Sequence, residues 1–392
     1  MRILIIEPYF SGSHAAWAEG YARHSRHRVE ILSLPGRHWK WRMQGAAPEL
    51  AARYRERVAA GKEYDLLLAS DMLDLAAFLG LLGPTPRPPV ALYFHENQLA
   101  YPRSPGPGHS AEKEGFARER WFGFINFTSA LAADRCFFNS SYHRESFFTA
   151  LAGLLQRFPD FRLEESTAKL RNRSEVLYLG LGLKALDKAK PELRPASSQP
   201  PLILWNHRWD YDKNPEGFCL LLLELLDAGA DFNLVLLGAE SGWRPESFAR
   251  LTERLGRRLL HSGFAADFSE YASWLWRADI LPVTSHQDFF GISVVEAIHC
   301  GCYPLLPDRL AYPEHIPAPL RTKFIYPSRR ELKQRLLELL TLPPAELQQQ
   351  ARAIPVAHYD WSRQAPLYDR RFCELVENPA GAGKRRAPDA AE

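Results

Sequence analysis

Asp288 and Glu296 stand with seven residues between them in the segment Ser285-His286-Gln287-Asp288-Phe289-Phe290-Gly291-Ile292-Ser293-Val294-Val295-Glu296. A strand-like run precedes the segment, and Gly291 opens a helix-like one. A free helix start offers backbone N–H groups and a positive dipole end to a phosphate or to sugar hydroxyls. Glu296, about one and a half turns into that helix, can accept two hydroxyls of a ribose. Asp288, on the loop beside Phe289 and Phe290, can accept those of a hexose. Solvent is the alternative partner for both carboxylates.

The second chemical segment is Trp205-Asn206-His207-Arg208-Trp209-Asp210-Tyr211-Asp212-Lys213-Asn214-Pro215. Arg208 offers a planar fork to a diphosphate and Lys213 a point charge. Preorganised cations of this kind offset the negative charge that develops on a leaving nucleoside diphosphate. Arg208 can instead pair with Asp210 or Asp212 at the surface. The turn Ser262-Gly263-Phe264 is a candidate for reading a nucleobase, or is an ordinary turn.

Three further groups stand at strand ends or on loops. His95-Glu96-Asn97 ends a strand, where His95 can hydrogen-bond a sugar or an acceptor hydroxyl and Glu96 or Asn97 can orient that acceptor. A satisfied strand-end histidine is the plainer reading, and His14 carries the same ambiguity. Arg37-His38-Trp39-Lys40-Trp41-Arg42 interleaves cations and aromatics, which suits a phosphate backbone and an unpaired base. Arg23, Arg26, Arg28, Arg118 and Arg120 add charge nearby in sequence. An exposed mixed loop whose tryptophans pack inward is the alternative. His299-Cys300-Gly301-Cys302 looks metal-like, yet no second Cys/His pair stands at a suitable spacing and no Asp-x-Asp string occurs. A buried helix end is the better reading, and no metal is required.

These groups need two frameworks. The chain has 392 residues, 46% of them hydrophobic, with a net charge of +3. That is enough for two cores and excludes a polycation. The runs Arg2–Ile6, Val29–Leu34, Tyr64–Ser70, Val90–His95 and Arg135–Asn139 read as buried strands, with a turn over Pro8–His14. Helices are predicted over Ala15–His24, Pro48–Ala60, Arg118–Ala133 and Tyr142–Leu155. After Glu175–Leu179, residues 184–201 lack periodicity and read as a linker. Alternation restarts with strands at Leu202–Trp205, Phe232–Leu237, Leu259–His261, Ile280–Val283 and Tyr303–Leu306. The expected fold is α/β: two doubly wound, Rossmann-like domains facing each other across a cleft, with ligands at the carboxyl ends of the strands. The expected division is 1–183, linker 184–201, 202–357, a C-terminal helix over 358–378 packing back on the first domain, and a disordered tail over 379–392. Five irregularly spaced cysteines fit a reducing compartment, and no run is long enough to span a membrane. A cytoplasmic protein is expected.

Arg208 and Lys213 after a strand, followed by Asp288, Phe-Gly and Glu296, resemble retaining GT-B glycosyltransferases of the family-4 type. Longer strings are more specific: Phe10–His14, His38–Arg42, Tyr93–Pro102, Phe138–Ser140, His207–Trp209 and His299–Leu305. They resemble the tRNA-queuosine α-mannosyltransferase family over nearly the whole chain. One departure is Asp288, where the family-4 pattern has Glu; the shorter arm draws the carboxylate back by one C–C bond.

The resemblance implies a retaining transfer of mannose from GDP-mannose to the cyclopentene-diol of queuosine in tRNA. Arg208 and Lys213 would hold the diphosphate, Glu296 the ribose and Asp288 the hexose. Gly12, Ser13 and His14 would face the diphosphate from the first domain. The leaving phosphate would take the acceptor proton, so no protein base is needed. The partners would be a nucleotide sugar and a queuosine-bearing tRNA. Alternatives keep the donor groups and use a lipid or polysaccharide acceptor, with Phe147, Phe148, Leu151, Leu154 and Leu155 as a membrane-facing stripe unless they are a core face, which is the plainer reading, or make the chain a non-catalytic RNA- or sugar-nucleotide-binding module.

Overall fold

The computed structural model describes residues 1–83, 87–102, 112–191, 200–238 and 244–378, those at 112–120 by backbone only. The chain divides into two compact units. The first takes Met1–Tyr101, residues 112–180 and the C-terminal helix from Trp361; the second takes Leu181–Asp360 together with Pro102.

The first unit is built on β1 (Arg2–Phe10), β2 (Arg28–Pro35), β3 (Leu66–Ser70), β4 (Val90–Phe94), β5 (Arg135–Phe138) and β6 (Ser174–Val176). They form one parallel sheet in the order β2-β1-β3-β4-β5-β6. Ile3–Ile6, Leu66–Ala69 and Val90–Phe94 are wholly buried. Continuous apolar strands of this kind belong to a sheet covered on both faces. The second unit repeats the plan with β7 (Leu202–Trp205), β8 (Asn233–Leu236), β9 (Leu259–Ser262), β10 (Ile280–Pro282), β11 (Tyr303–Pro307) and β12 (Ile325–Tyr326). Their order is β12-β11-β10-β7-β8-β9. In each sheet the winding reverses once, between β1 and β3 in the first and between β7 and β10 in the second. Ligands of such sheets bind beyond the strand ends at that reversal.

Several expectations are corrected. Pro8–Phe10 are strand, not turn: β1 continues through a register shift, with Glu7 opposite Ser33 and Phe10 opposite Pro35. The extra residue of such a bulge accommodates Pro8, which has no N–H to give. The adjoining helix begins at Gly12, so Gly12, Ser13 and His14 are its first turn rather than a loop. Another helix covers Trp39–Ala59, nine residues ahead of the predicted start, with Pro48 inside it. The helix expected from Arg118 runs over Glu112–Ala132. Helices Leu75–Leu81, Glu164–Asn172 and Pro344–Ala351, and β12, escaped the sequence reading. The expected linker opens in helix, Leu183–Leu186, followed by a short turn over Asp187–Ala189. Its residues 192–199, the tail beyond 378 and the Arg118 and Arg120 side chains lie outside the described residues.

The C-terminal helix Trp361–Glu377 packs on helix Gly12–His24. Trp361 fits because Gly20 and Gly180 have no side chains; a Cβ at Gly180 would lie 2.3 Å from its ring. The Asp369 carboxylate accepts from Tyr21 Oη at 2.9 Å, Ser25 Oγ at 2.6 Å and the Arg26 N–H at 3.0 Å. Helix Ser141–Leu155 buries Phe147, Phe148, Leu151, Leu154 and Leu155, so the stripe considered for membrane contact is core. Among the described residues no helix is long and apolar enough to cross a membrane.

Candidate active site

In the second unit, the loops after β7 and β10 meet at the reversal of winding. A short turn, Tyr211–Lys213, follows β7 and carries Lys213. Lys213 Nζ lies 3.2 Å from Asp212 Oδ2 and 3.3 Å from Asp288 Oδ2, and donates to the Gln287 carbonyl at 2.8 Å. Asp212 also joins the two loops through its own carbonyl, which accepts the His286 N–H at 2.7 Å. Tyr312 donates to Asp288 Oδ2 at 3.1 Å. Helix Ile292–His299 starts after Gly291, whose φ of 93° is the left-handed conformation that glycine adopts without strain. Glu296, the fifth residue of that helix, accepts a 2.7 Å hydrogen bond from Tyr271 Oη.

The electrostatics separate the two carboxylates. Burial pushes Asp288 up, but Lys213, His207 and the Tyr312 hydroxyl more than reverse this and hold it below its ordinary value. At Glu296 burial outweighs the Tyr271 hydrogen bond and raises the carboxyl to about 7. Burial opposes the charge of Lys213, and Asp288 and Asp212 outweigh it, so the amine stays an ammonium. Arg208 differs from Lys213. Its side chain is 60% exposed and pairs with Asp210 at 3.1 Å, the surface pairing that the sequence left open.

Other residues expected at a donor site divide by burial. Phe290 lies in the core, 5.1 Å from both His315 and Tyr359, and Phe289 is also buried. Their side chains are therefore packing groups, and only backbone remains for a ligand. Gly263 has a φ of 136° and follows β9; beside it Phe264 stands 77% exposed. His299 pairs with Asp187 at 2.9 Å, while Cys300 and Cys302 are buried.

The first unit carries its own cluster at its reversal. Glu7 on β1 accepts the Tyr9 N–H at 2.8 Å through Oε1 and pairs with His14 Nδ1 at 3.0 Å through Oε2. Asp71 follows β3, and its Oδ1 accepts the His95 N–H at 2.7 Å. The His95 ring lies 4.3 Å from that of His14 and edge-on to Trp17 at 4.7 Å. Asn139 donates to the His95 carbonyl at 2.9 Å and Asn126 to the Asp71 carbonyl at 3.0 Å, which pins both segments. Among the described residues, Asp71 Oδ2, His95 Nε2 and Asn97 Nδ2 are buried without a hydrogen-bond partner. Glu96 accepts from Gln98 Nε2 at 3.0 Å. Burial pulls His14 down, yet Glu7, Asp71 and Glu96 leave it raised to about 9. Burial, with Glu96 and Glu7, raises Asp71 to about 8 against the opposing His14. Glu7, His14 and His95 also offer ligand atoms within 4.8 Å of one another.

Trp39 and Trp41 have different surroundings. Trp39 packs 5.3 Å from Phe122 against a small cluster of Met43, Met72, Phe122 and Ile125. Trp41 is 60% exposed and lies over Gly45, where a Cβ would come within 2.7 Å of the indole. Lys40 sits 5.6 Å from the Trp39 ring, and Arg42 Nε donates to the Pro35 carbonyl at 3.0 Å. Gly12 and Ser13 are exposed. Glu7, Asp71, Tyr271 and Tyr312 were missed in the sequence. Only their placement on strand ends could have signalled Glu7 and Asp71; the two tyrosines reach the site from distant elements.

Known proteins extend this geometry. Residues 2–181 match the family model "tRNA-queuosine alpha-mannosyltransferase N-terminal", and 188–354 match "Glycosyl transferases group 1". A Drosophila melanogaster tRNA-queuosine alpha-mannosyltransferase is 31% identical over 353 residues, covering 87% of this chain and 88% of the relative. Among solved structures, a UDP-forming trehalose-phosphate synthase from Burkholderia xenovorans superposes with a TM-score of 0.66 at 12% identity, over 95% of this chain and 100% of that one. A sucrose-phosphate synthase from Thermosynechococcus elongatus gives 0.64 at 14%, over 96% and 100%. These two likenesses speak for the fold, which is GT-B. The family matches and the identity to the insect protein establish that the chain is a glycosyltransferase belonging to the tRNA-queuosine alpha-mannosyltransferase family.

Proposed function

We propose that this enzyme transfers mannose from GDP-mannose to a cyclopentene-diol hydroxyl of queuosine in tRNA, with retention at the anomeric carbon. The observation that carries the reading is the part-buried Lys213–Asp288 pair beside the start of helix Ile292–His299, with Glu296 inside that helix. Lys213 and Arg208 face the diphosphate, and Arg208 is exposed enough to leave Asp210 for a phosphate. Asp288 accepts hexose hydroxyls, Glu296 ribose hydroxyls, and exposed Phe264 beside Gly263 stacks on the base. In the first unit Gly12 and Ser13, exposed in the first turn of their helix, offer backbone and hydroxyl groups to an anion. His14, His95, Glu96 and Asn97 serve the acceptor, whose hydroxyls suit the partnerless His95 Nε2.

The acceptor oxygen bonds to C1 of mannose as the bond from C1 to the phosphate oxygen breaks. The acceptor proton passes to the departing phosphate. The diphosphate is held without a divalent cation. His14, protonated and bonded to Glu7, is a poor metal ligand, so the Glu7–His14–His95 trio is read as a proton-sharing cluster. The enzyme works in the cytosol, where its five cysteines, none of them in a disulfide, stay reduced.

Incubation with a panel of nucleotide sugars and queuosine-containing tRNA, followed by mass analysis of the nucleosides, tests this. A hexose-mass gain on queuosine with GDP-mannose, unaffected by a chelator, is expected. Transfer only to lipid or polysaccharide acceptors, or product from another sugar nucleotide alone, overturns the corresponding part.

A further inference from the structure

The two cations read as facing the diphosphate are each partly neutralised by a carboxylate. Lys213 is shared between Asp212 and Asp288, and Arg208 faces Asp210. Beside these two cations the site offers dipoles: the N-terminal N–H groups of helix Ile292–His299 and the imidazole of His207.

His207 follows β7 and is 3% exposed. Its Nδ1 lies 3.1 Å from Oγ of Ser293, the second residue of that helix. The chain around it is fixed from several directions. Asn206 Nδ2 donates to the Ser293 carbonyl at 2.8 Å, and Trp205 Nε1 to the His207 carbonyl at 2.9 Å. The Trp205 indole stands edge-on to the imidazole at 5.2 Å. Gly238, just past β8, lets the backbone through: a Cβ there would lie 1.9 Å from the His207 carbonyl oxygen. Such a constrained ring has one polar atom, Nε2, buried and without a partner among the described residues. Buried polar atoms are nearly always bonded, and an exception beside a helix start points to a missing ligand.

We infer that His207 donates a hydrogen bond from Nε2–H to a diphosphate oxygen of the bound donor, and that the Ser293 hydroxyl, donating to Nδ1, fixes the tautomer that allows it. The inference rests on the donor reading above. Burial and the neighbouring Lys213 pull the imidazole down to about 3, so the ring is neutral across the working range and carries one proton. The Ser293 hydroxyl can donate to Nδ1 of the tautomer that carries its proton on Nε2. The bond adds a donor to the site without adding a charge that the nearby carboxylates would neutralise.

The test is calorimetric titration of the full chain with GDP and UDP, with guanosine measured by displacement. Gln places an N–H near the position of Nε2, whereas Phe keeps the ring shape and loses the donor. His207→Phe is expected to weaken GDP about tenfold or more, as for a lost hydrogen bond to a charged group. Guanosine affinity should be unchanged. His207→Gln should stay within about threefold of wild type, and Ser293→Ala should fall between the two. Equal losses for GDP and guanosine in His207→Phe, or no loss at all, overturn the inference and leave a packing residue. Should that variant not fold, an unchanged GDP-to-guanosine ratio in Ser293→Ala overturns it, and a lowered ratio supports it. Wild-type protein that binds neither nucleotide diphosphate removes the donor reading, and this inference with it.

Discussion

Lys213 Nζ and Asp288 Oδ2 approach to 3.3 Å across 75 residues of chain, and the same oxygen takes the Tyr312 hydroxyl at 3.1 Å. The pair joins a cation that follows β7 to a carboxylate on the loop beyond β10, so it fixes the relative position of the two loops as well as their charge. Asp288→Asn should lower kcat/KM about 100-fold, the scale of losing one preorganised charge contact, while Asp212 still neutralises Lys213. Lys213→Ala should also destabilise the fold, by about 3 kcal/mol, because it strands the buried Asp212 and the part-buried Asp288. Steady-state kinetics beside thermal unfolding separates the two effects. An Asp288→Asn enzyme with wild-type turnover would remove Asp288 from the site.

Glu296 gives a pH signature. Burial raises its carboxyl to about 7, and the Tyr271 hydroxyl counteracts part of that rise. If ribose hydroxyls donate to the carboxylate, only the ionised form binds well. Affinity for GDP-mannose, a diphosphate diester of constant charge here, should then climb with pH and level off above about 7. Below that midpoint the slope should approach about tenfold per pH unit. Tyr271→Phe should move the midpoint upward and Glu296→Gln should flatten the profile. Binding that is pH-independent in wild type contradicts the ribose role.

The order of elements was legible because buried parallel strands such as Ile3–Ile6 and Leu202–Trp205 are unbroken apolar runs bounded by turn residues. Local breakers misled. Pro8 reads as a turn but sits in a bulge, and Gly45 with Pro48 hid the start of helix Trp39–Ala59. That helix also begins after His38 in a left-handed conformation with no side-chain cap, so the usual signal is missing. At the site, Lys213, Asp288 and Glu296 were recognisable because their spacing is local to two loops. Tyr271, Tyr312 and Asp71 were not, since each acts on a residue 24 or 25 positions away through the fold alone.

His14 and Glu7 predict how stability depends on pH. The folded-state value of His14 lies above its ordinary 6.5, at about 9. The pair therefore contributes fully below about 6.5 and is lost as pH rises through about 9. His14→Gln should cost about 3 kcal/mol at pH 6, where it leaves Glu7 without its cation. At pH 10 the variant and wild type should converge. Denaturant unfolding at the two pH values measures it; an equal penalty at both would mean that the contact is an uncharged hydrogen bond.

Trp39 and Trp41 separate packing from recognition within one helical turn. Trp39 packs on Phe122 and the methionines Met43 and Met72, so Trp39→Ala should lower stability by about 3 kcal/mol through the cavity it leaves. Trp41 is largely in solvent with Lys40 and Arg37 nearby in sequence, and its indole is supported by the bare backbone at Gly45. An exposed, pre-placed ring beside cations is what an unpaired base stacks on. Trp41→Ala should weaken binding of queuosine-bearing tRNA by about 1–3 kcal/mol. Unfolding temperature and GDP affinity should be unchanged. Denaturant unfolding of Trp39→Ala and filter binding of tRNA by Trp41→Ala, at one fixed salt concentration, check the two. If Trp41→Ala binds tRNA as wild type does, the base-stacking surface lies elsewhere on the first unit, and the cations flanking Trp41 are a solvated helix end.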